Sequence, residues 1–152
     1  MAPTIRQDDP TAAHVAPLLT YHLTELRSHM REFAFALDAS GLSQPDVTFW
    51  TAWDRDTLVG FAALKRLDAS HGELKSMRAA PAARGTGVGR ALLDHVIAVA
   101  RARGMARLSL ETGTAPTHDD AVALYHRNGF VDCGPFADYA ESPHNRFMVL
   151  EL

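Results

Sequence analysis

Three glycines at alternate positions separate a strand-like segment from a helix-like segment near the middle of the chain. They are Gly85, Gly87 and Gly89, and Arg84 and Arg90 flank them. Glycine lets the backbone turn tightly and lets a ligand approach without a Cβ in the way. The first N–H groups of the following helix lack internal partners and lie at the positive end of the helix dipole. The segment therefore predicts an anion site, and a pyrophosphate is its natural ligand.

The sequence on both sides of the glycines predicts a strand–turn–helix–strand unit. A strand is expected from Glu73 to Ala79, and Pro81 ends it. The helix that follows carries apolar residues at helical spacing and is closed by Gly104. Its apolar positions are Val88, Leu92, Leu93, Val96, Ile97 and Ala100. A strand from Arg107 to Thr112 completes a βαβ unit, which should be right-handed with parallel strands.

The spacing of the glycines distinguishes this turn from other phosphate-binding loops. The pattern is GxGxG, whereas a dinucleotide fingerprint is GxGxxG. A Walker A loop would end in GK[ST], but Gly89 is followed by Arg90 and Ala91. A plain structural turn beside an arginine is the alternative interpretation.

Alternating and helical patterns elsewhere predict one α/β domain with a mixed sheet over residues 1–152. Strands are expected at Thr4–Arg6, Val47–Trp53, Leu58–Leu67, Phe130–Cys133 and Phe147–Leu152, and helices from about Ala13 to Arg31 and from Asp119 to Asn128. The stretch 32–45 is ambiguous, with a short second helix ending near Gly41 as one interpretation.

Composition excludes several classes of function. A net charge of -3 gives no general attraction for nucleic acid or acidic membranes. No apolar run approaches the roughly 20 residues of a membrane span, and Met1 to Pro10 lacks a signal-peptide core, so a cytoplasmic location is expected. The single cysteine, Cys133, has no disulfide partner and is expected to be a small buried apolar side chain. Eight histidines form no metal-ligand motif, so no metal site is predicted.

Two motifs resemble the Gcn5-related N-acetyltransferase (GNAT) family. The run 84–89 is similar to its R/Q-x-x-G-x-G/A signature, and 77–81 resembles its fourth strand ending just before a proline. The run 121–130, AVALYHRNGF, resembles its A-x-x-L-Y-x-x-x-G-F helix. The resemblance implies a mixed, largely antiparallel sheet flanked by helices, with a splay between strands 4 and 5. It also implies transfer of acetyl from acetyl-CoA to a primary amine, by direct attack in a ternary complex.

The resemblance also implies roles for particular residues. Tyr125 would protonate the leaving thiolate, with a core tyrosine as the alternative. Glu73 would be the base found in histone-type members, with a solvated strand carboxylate as the alternative. His118 stands where many members carry an asparagine that contacts the coenzyme. The other implied coenzyme contacts are Met77, Ala79, Arg84, Gly85, Thr86, Gly87, Val88, Gly89 and Arg90.

The sequence leaves the acceptor amine open. A small molecule is favoured, while a protein N-terminus or lysine, or a non-catalytic coenzyme A-binding domain, are the alternatives; a homodimer is left open. The acceptor is expected between the segment from Tyr21 to Gly41 and the loop from Gly134 to His144, since irregular segments on a rigid sheet tend to set specificity. Changes at Asp138 and Tyr139 should therefore raise its KM. Charged and aromatic candidates there are Glu25, Arg27, Glu32, Asp38, Phe136 and Glu141.

Overall fold

The computed structural model describes residues 2–30 and 35–152, and a seven-stranded sheet runs through that part of the chain. The strands are β1 (Thr4–Gln7), β2 (Val47–Asp54), β3 (Thr57–Arg66), β4 (His71–Ala79), β5 (Arg107–Gly113), β6 (Val131–Cys133) and β7 (Asn145–Glu151). Their order across the sheet is β1-β2-β3-β4-β5-β7-β6. β4 and β5 are parallel, and the other neighbouring pairs are antiparallel. The predicted βαβ unit and mixed α/β sheet are confirmed.

Helices cover both faces of the sheet. They are α1 (Ala16–Met30), α2 (Ala39–Leu42), α3 (Val88–Ala102) and α4 (Asp119–Arg127). Successive strand side chains point to opposite faces. In β3, Leu64 therefore packs in the core beneath α3, while Phe61 and Ala63 pack with Leu19 of α1 on the other face. Each face thus has its own apolar core, and β4 and β5 lie between the two.

β4 and β5 separate toward their carboxyl ends. They pair only from His71 to Leu74 and from Arg107 to Leu110. Beyond that point β4 continues beside β3, and β5 continues beside β7. Ser76 sits in the register shift of β4 with a φ of 53°, a left-handed conformation that is uncommon for residues other than glycine. Such a bulge bends its strand, and the splay predicted between strands 4 and 5 is present.

Most predicted elements occur within about three residues of their expected ends. The helix expected from Ala13 begins at Ala16, and its predicted end at Arg31 lies outside the described residues. The ambiguous stretch contains the short α2, which Asp38 caps by accepting a hydrogen bond from the Gly41 N–H at 2.9 Å. The expectation for Cys133 is wrong: the residue is exposed. It lies on β6, an edge strand whose three residues all face solvent.

Candidate active site

The glycine turn presents open backbone at the start of α3. Gly85 and Gly87 have φ values of 76° and 90°, and Gly87 is the N-cap residue of the helix. A Cβ at either position would meet nothing within 4 Å. Because the first N–H groups of a helix have no internal partner, they remain available to an anion in this space. The residues present therefore fit a pyrophosphate.

A cleft of about 540 Å³ begins at this turn and runs between β4 and β5. Its lining includes Glu73, Met77, Ala79, Arg84, Gly85, Gly87, Gly89, Arg90, His118 and Tyr125. Two other predicted coenzyme contacts do not line it. The Val88 side chain is buried in the core beneath α3, and the Thr86 hydroxyl donates to the Ala83 carbonyl. Any contact from Thr86 or Val88 to a bound anion would therefore come from the backbone.

Two arginines tie α1 to the cleft. Arg78 on β4 donates to Nδ1 of His22 at 2.9 Å and to Oε1 of Glu25 at 3.0 Å. Arg84 beside the glycine turn donates to the Tyr21 hydroxyl at 3.2 Å. Burial and the Arg78 charge lower the pKa of His22 to about 3, so its imidazole stays neutral. The hydrogen bond from Tyr21 holds the pKa of Glu25 below its usual value, so this carboxylate stays charged between the arginines.

The phenol of Tyr125 reaches the cleft from α4. The side chain is buried, packs against Phe130 with ring centroids 5.7 Å apart, and lines the cleft. Burial raises the pKa of Tyr125 to about 12. The phenol therefore remains protonated at neutral pH and can act as a proton donor.

A buried charged cluster lies at the end of the cleft away from the glycine turn. Glu73 and Lys75 lie two residues apart on β4, with side chains 3% and 9% exposed and their charged atoms 3.4 Å apart. Tyr139, from the loop between β6 and β7, donates to Glu73 Oε2 at 2.6 Å and accepts from Lys75 Nζ at 2.6 Å. Lys75 also donates to the Phe35 carbonyl at 3.2 Å. Glu73 is therefore not the solvated carboxylate that was the alternative interpretation.

The loop between β6 and β7 is held over the cluster by aromatic contacts. The Tyr139 ring lies 5.1 Å from Phe136, 5.7 Å from Phe147 and 5.4 Å from Phe35 between centroids. Of the predicted acceptor contacts in this loop, Tyr139 thus contacts Glu73 and Lys75, which line the cleft. Asp138 and Glu141 are exposed instead, and Glu32 lies outside the described residues.

The sequence reasoning missed Lys75, Glu111 and Asn145. Glu111 on β5 lines the cleft, and Asn145 on β7 donates to its Oε2 at 2.5 Å. Burial raises the pKa of Glu111. A signal was present, because the spacing of Glu73 and Lys75 places both on one face of a strand. On the neighbouring parallel strand β5, Ser109 pairs with Glu73. Glu111 lies two residues further along β5, so it projects from the same face of the sheet.

Two further findings concern residues 2–30 and 35–152, the part of the chain that the structure describes. In this range no helix is both long and apolar enough to cross a membrane. Nor does the same range hold a group of three or more histidine, cysteine, aspartate or glutamate side chains placed to share a metal ion.

Comparison with known proteins agrees with this geometry. The sequence profile of the acetyltransferase (GNAT) family matches residues 11–130, which contain β4, the glycine turn and α4. The chain belongs to the GNAT family. This GNAT protein is 47% identical to the uncharacterized N-acetyltransferase YedL of Escherichia coli (strain K12), over 98% of its own length and 94% of that protein. It is 36% identical to the IAA acetyltransferase of Azospirillum brasilense, with 98% and 97% covered.

A solved structure supports the same family. The protein described as an acyl-CoA N-acyltransferase from Klebsiella pneumoniae superimposes on this GNAT protein with a TM-score of 0.82 and 29% identity. The match covers 99% of this chain and 97% of the other. The family, the fold and the class of acetyltransferase are thereby established for the chain.

Proposed function

We propose that this GNAT acetyltransferase transfers acetyl from acetyl-CoA to the primary amine of a small molecule. The observation that carries the choice of a small acceptor is the buried cluster of Glu73, Lys75 and Tyr139 at the end of the cleft away from the glycine turn. A protein N-terminus or a lysine in a peptide needs an open groove on both sides of the reacting amine. Here Tyr139 bonds to both Glu73 and Lys75 across that end, and aromatic rings pack behind it.

Acetyl-CoA suits the other end of the cleft. Its pyrophosphate would lie on the backbone of residues 85–90, with Arg84 and Arg90 adding positive charge. Its pantetheine arm is extended and carries amides, so it can pair with free strand-edge groups of Met77 and Ala79 as a peptide would. His118 lines the cleft and remains a proposed contact.

Direct transfer requires a neutral amine, a polarised thioester carbonyl and a proton for the leaving thiolate. The amine nitrogen bonds to the acetyl carbon and the carbon–sulfur bond breaks. Tyr125 is proposed to protonate the sulfur, because its phenol is buried, protonated and at the cleft. Glu73 stays a prediction as the base. Its contacts with Lys75 and Tyr139 also give it a part in shaping the acceptor end.

One relative supports a small acceptor. The Azospirillum protein is named for IAA rather than for a protein substrate. This likeness favours an acceptor of small-molecule size.

The test is a panel of primary amines and N-terminal and lysine peptides, each incubated with acetyl-CoA and read by release of free thiol. Mass spectrometry of the products identifies the acetylated nitrogen. Turnover of small amines with inactive peptides supports the proposal. Turnover of peptides alone would assign a protein acceptor instead. Acetyl-CoA binding without turnover of any amine or peptide would favour a non-catalytic domain.

A further inference from the structure

Lysine is scarce in this chain, and one of its lysines lies inside the cleft. Of the 15 lysines and arginines in the sequence, only Lys65 and Lys75 are lysines. Lys75 lines the cleft, whereas Lys65 on β3 is half-buried and lies outside the cleft lining. Lysine is almost never fully buried unless it is paired. The cleft therefore already contains a primary amine of the protein itself.

The Lys75 amine is held as an incoming amine would have to be held. Its side chain is 9% exposed, and Nζ lies 3.4 Å from Oε2 of Glu73, the carboxylate predicted to be the base. The same nitrogen donates to the Tyr139 hydroxyl at 2.6 Å and to the Phe35 carbonyl at 3.2 Å. An ammonium beside a carboxylate has a partner to which it can pass a proton.

Lys75 also stands at the opening between β4 and β5. It follows Leu74, the last residue of β4 that pairs with β5, and it precedes the bend at Ser76. Burial raises the pKa of Glu111 on the facing strand, and the Lys75 charge opposes this effect. Burial and the Glu111 charge together raise the pKa of Tyr125. These couplings connect Lys75 across the opening to the proposed proton donor.

We propose that Lys75 is a self-modification site: when acetyl-CoA is bound and no acceptor is present, its amine is acetylated within the same molecule. The inference rests on the proposed function, because it uses the same donor and the same cleft. A lysine already in the cleft reacts at a high effective concentration, so it needs no binding step of its own.

The transfer to Lys75 follows the course proposed for a foreign amine. The ammonium first gives a proton to the Glu73 carboxylate, which later releases it to solvent. The neutral nitrogen then bonds to the acetyl carbon, and the carbon–sulfur bond breaks. The nitrogen loses a second proton and the thiolate takes up one, so coenzyme A leaves as the free thiol. The flexible four-carbon stem of lysine lets the nitrogen turn from the Phe35 carbonyl toward the opening.

Acetylation would change the acceptor end of the cleft. The amide of acetyl-lysine has one N–H in place of three, and the positive charge beside Glu73 is lost. Glu73, which is 2% exposed, would then be buried without its cation, and this favours the protonated carboxyl. The modified enzyme should therefore acetylate amines more slowly, so the reaction limits an enzyme that holds coenzyme without a substrate.

Mass spectrometry locates the modification. The folded protein is saturated with acetyl-CoA that carries a deuterated acetyl group, and peptides are analysed over time. Lys75 should gain the label before Lys65, although Lys75 is more buried, and the heat-unfolded chain should label both alike. The labelled fraction per unit time should not depend on protein concentration. An unlabelled Lys75, equal labelling of the two lysines in the folded protein, or a rate that rises with protein concentration would overturn the proposal.

Competition and matched variants test whether the acetyl group comes from the cleft. Excess coenzyme A should suppress labelling of Lys75 and leave any labelling of Lys65 unchanged. Lys75→Arg keeps the positive charge but should lose the fast labelling of the intact protein, whereas Lys65→Arg should label as the wild type does. Labelling of Lys75 that persists under excess coenzyme A would mean that acetyl arrives from solution, and the proposal would be wrong.

Failure of this inference can be told from failure of the proposed function. If Lys75 is labelled and no small amine is acetylated, the small-molecule acceptor is wrong and the self-modification stands. If small amines are acetylated and Lys75 stays unlabelled, the proposed function stands and only the self-modification is wrong.

Discussion

At the scale of single residues, Tyr125 carries the sharpest prediction. Its phenol is buried against the core and also reaches the cleft, and a pKa of about 12 keeps it protonated. Tyr125→Phe should lower kcat by about 10²–10⁴-fold, the usual contribution of a general acid, and leave acetyl-CoA affinity nearly unchanged. Steady-state thiol release and calorimetry measure the two effects. Near-normal turnover in a folded variant would make Tyr125 a packing residue alone.

Local motifs predicted residues that act through their own backbone or helix position. The glycines 85, 87 and 89 and Tyr125 belong to short patterns, so their location in the fold followed from the chain nearby. The partners of Glu73 did not follow in this way, because Tyr139 lies 66 residues away along the chain. The left-handed Ser76 also escaped prediction, since serine carries no local preference for that conformation. The prediction that Cys133 is buried was wrong, because its exposure follows from the position of β6 at the edge of the sheet, which the neighbouring sequence does not reveal.

At the scale of elements, the two ends of α3 provide a matched pair of glycines. Gly87 and Gly104 have φ values of 90° and 78°, and a Cβ at either meets nothing within 4 Å. A glutamate at either position should therefore cost a similar ~1–2 kcal/mol in backbone strain. Only Gly87→Glu places a carboxylate at the anion site, so only this variant should lose acetyl-CoA binding. Equal binding in the two folded variants would refute the position of the pyrophosphate.

The loop between β6 and β7 gives a second test at this scale. Tyr139→Phe removes the hydroxyl that connects the loop to Lys75 and Glu73. The KM for the amine should rise by roughly tenfold, the equivalent of about 1.4 kcal/mol, while acetyl-CoA affinity stays constant. The sequence predicted a similar effect for Asp138, but its side chain is exposed, so Asp138→Ala becomes the control. A KM that responds to Asp138→Ala and not to Tyr139→Phe would contradict the loop's role.

At the scale of the whole molecule, Asp8 connects the end of the N-terminal strand β1 to the neighbouring strand β2. Its Oδ2 accepts from Thr51 on β2 at 2.7 Å and lies 2.8 Å from the His14 ring nitrogen. Burial alone would raise the pKa of Asp8, but these hydrogen bonds lower it from 3.8 to about 2. The stability that the charged carboxylate contributes is therefore fully present above the pKa of Asp8 in the unfolded chain. It is lost as the pH falls from about 4 to about 2, the pKa in the folded protein.

Thermal unfolding across this range tests the linkage. Asp8→Asn should lower Tm at neutral pH, and its difference from the wild type should shrink as the pH falls below 4. The exposed Asp46, whose substitution by asparagine should leave Tm nearly unchanged, is the control. A difference that stays constant down to pH 2 would show that Asp8 acts through packing and not through its charge.

Because β4 and β5 separate, their backbone amides should exchange with solvent deuterium at different rates along each strand. Past Leu74 and Leu110 the facing edges of the two strands no longer pair with each other, so amides on those edges depend on water or a ligand for protection. Without coenzyme, such amides within residues 75–79 and 111–113 should exchange faster than amides in the paired stretch His71–Leu74. Coenzyme A should slow those of 75–79, and an acceptor analogue should add protection near 111–113. Mass-resolved deuterium uptake would thus report each half of the reaction separately, even before the natural amine is known.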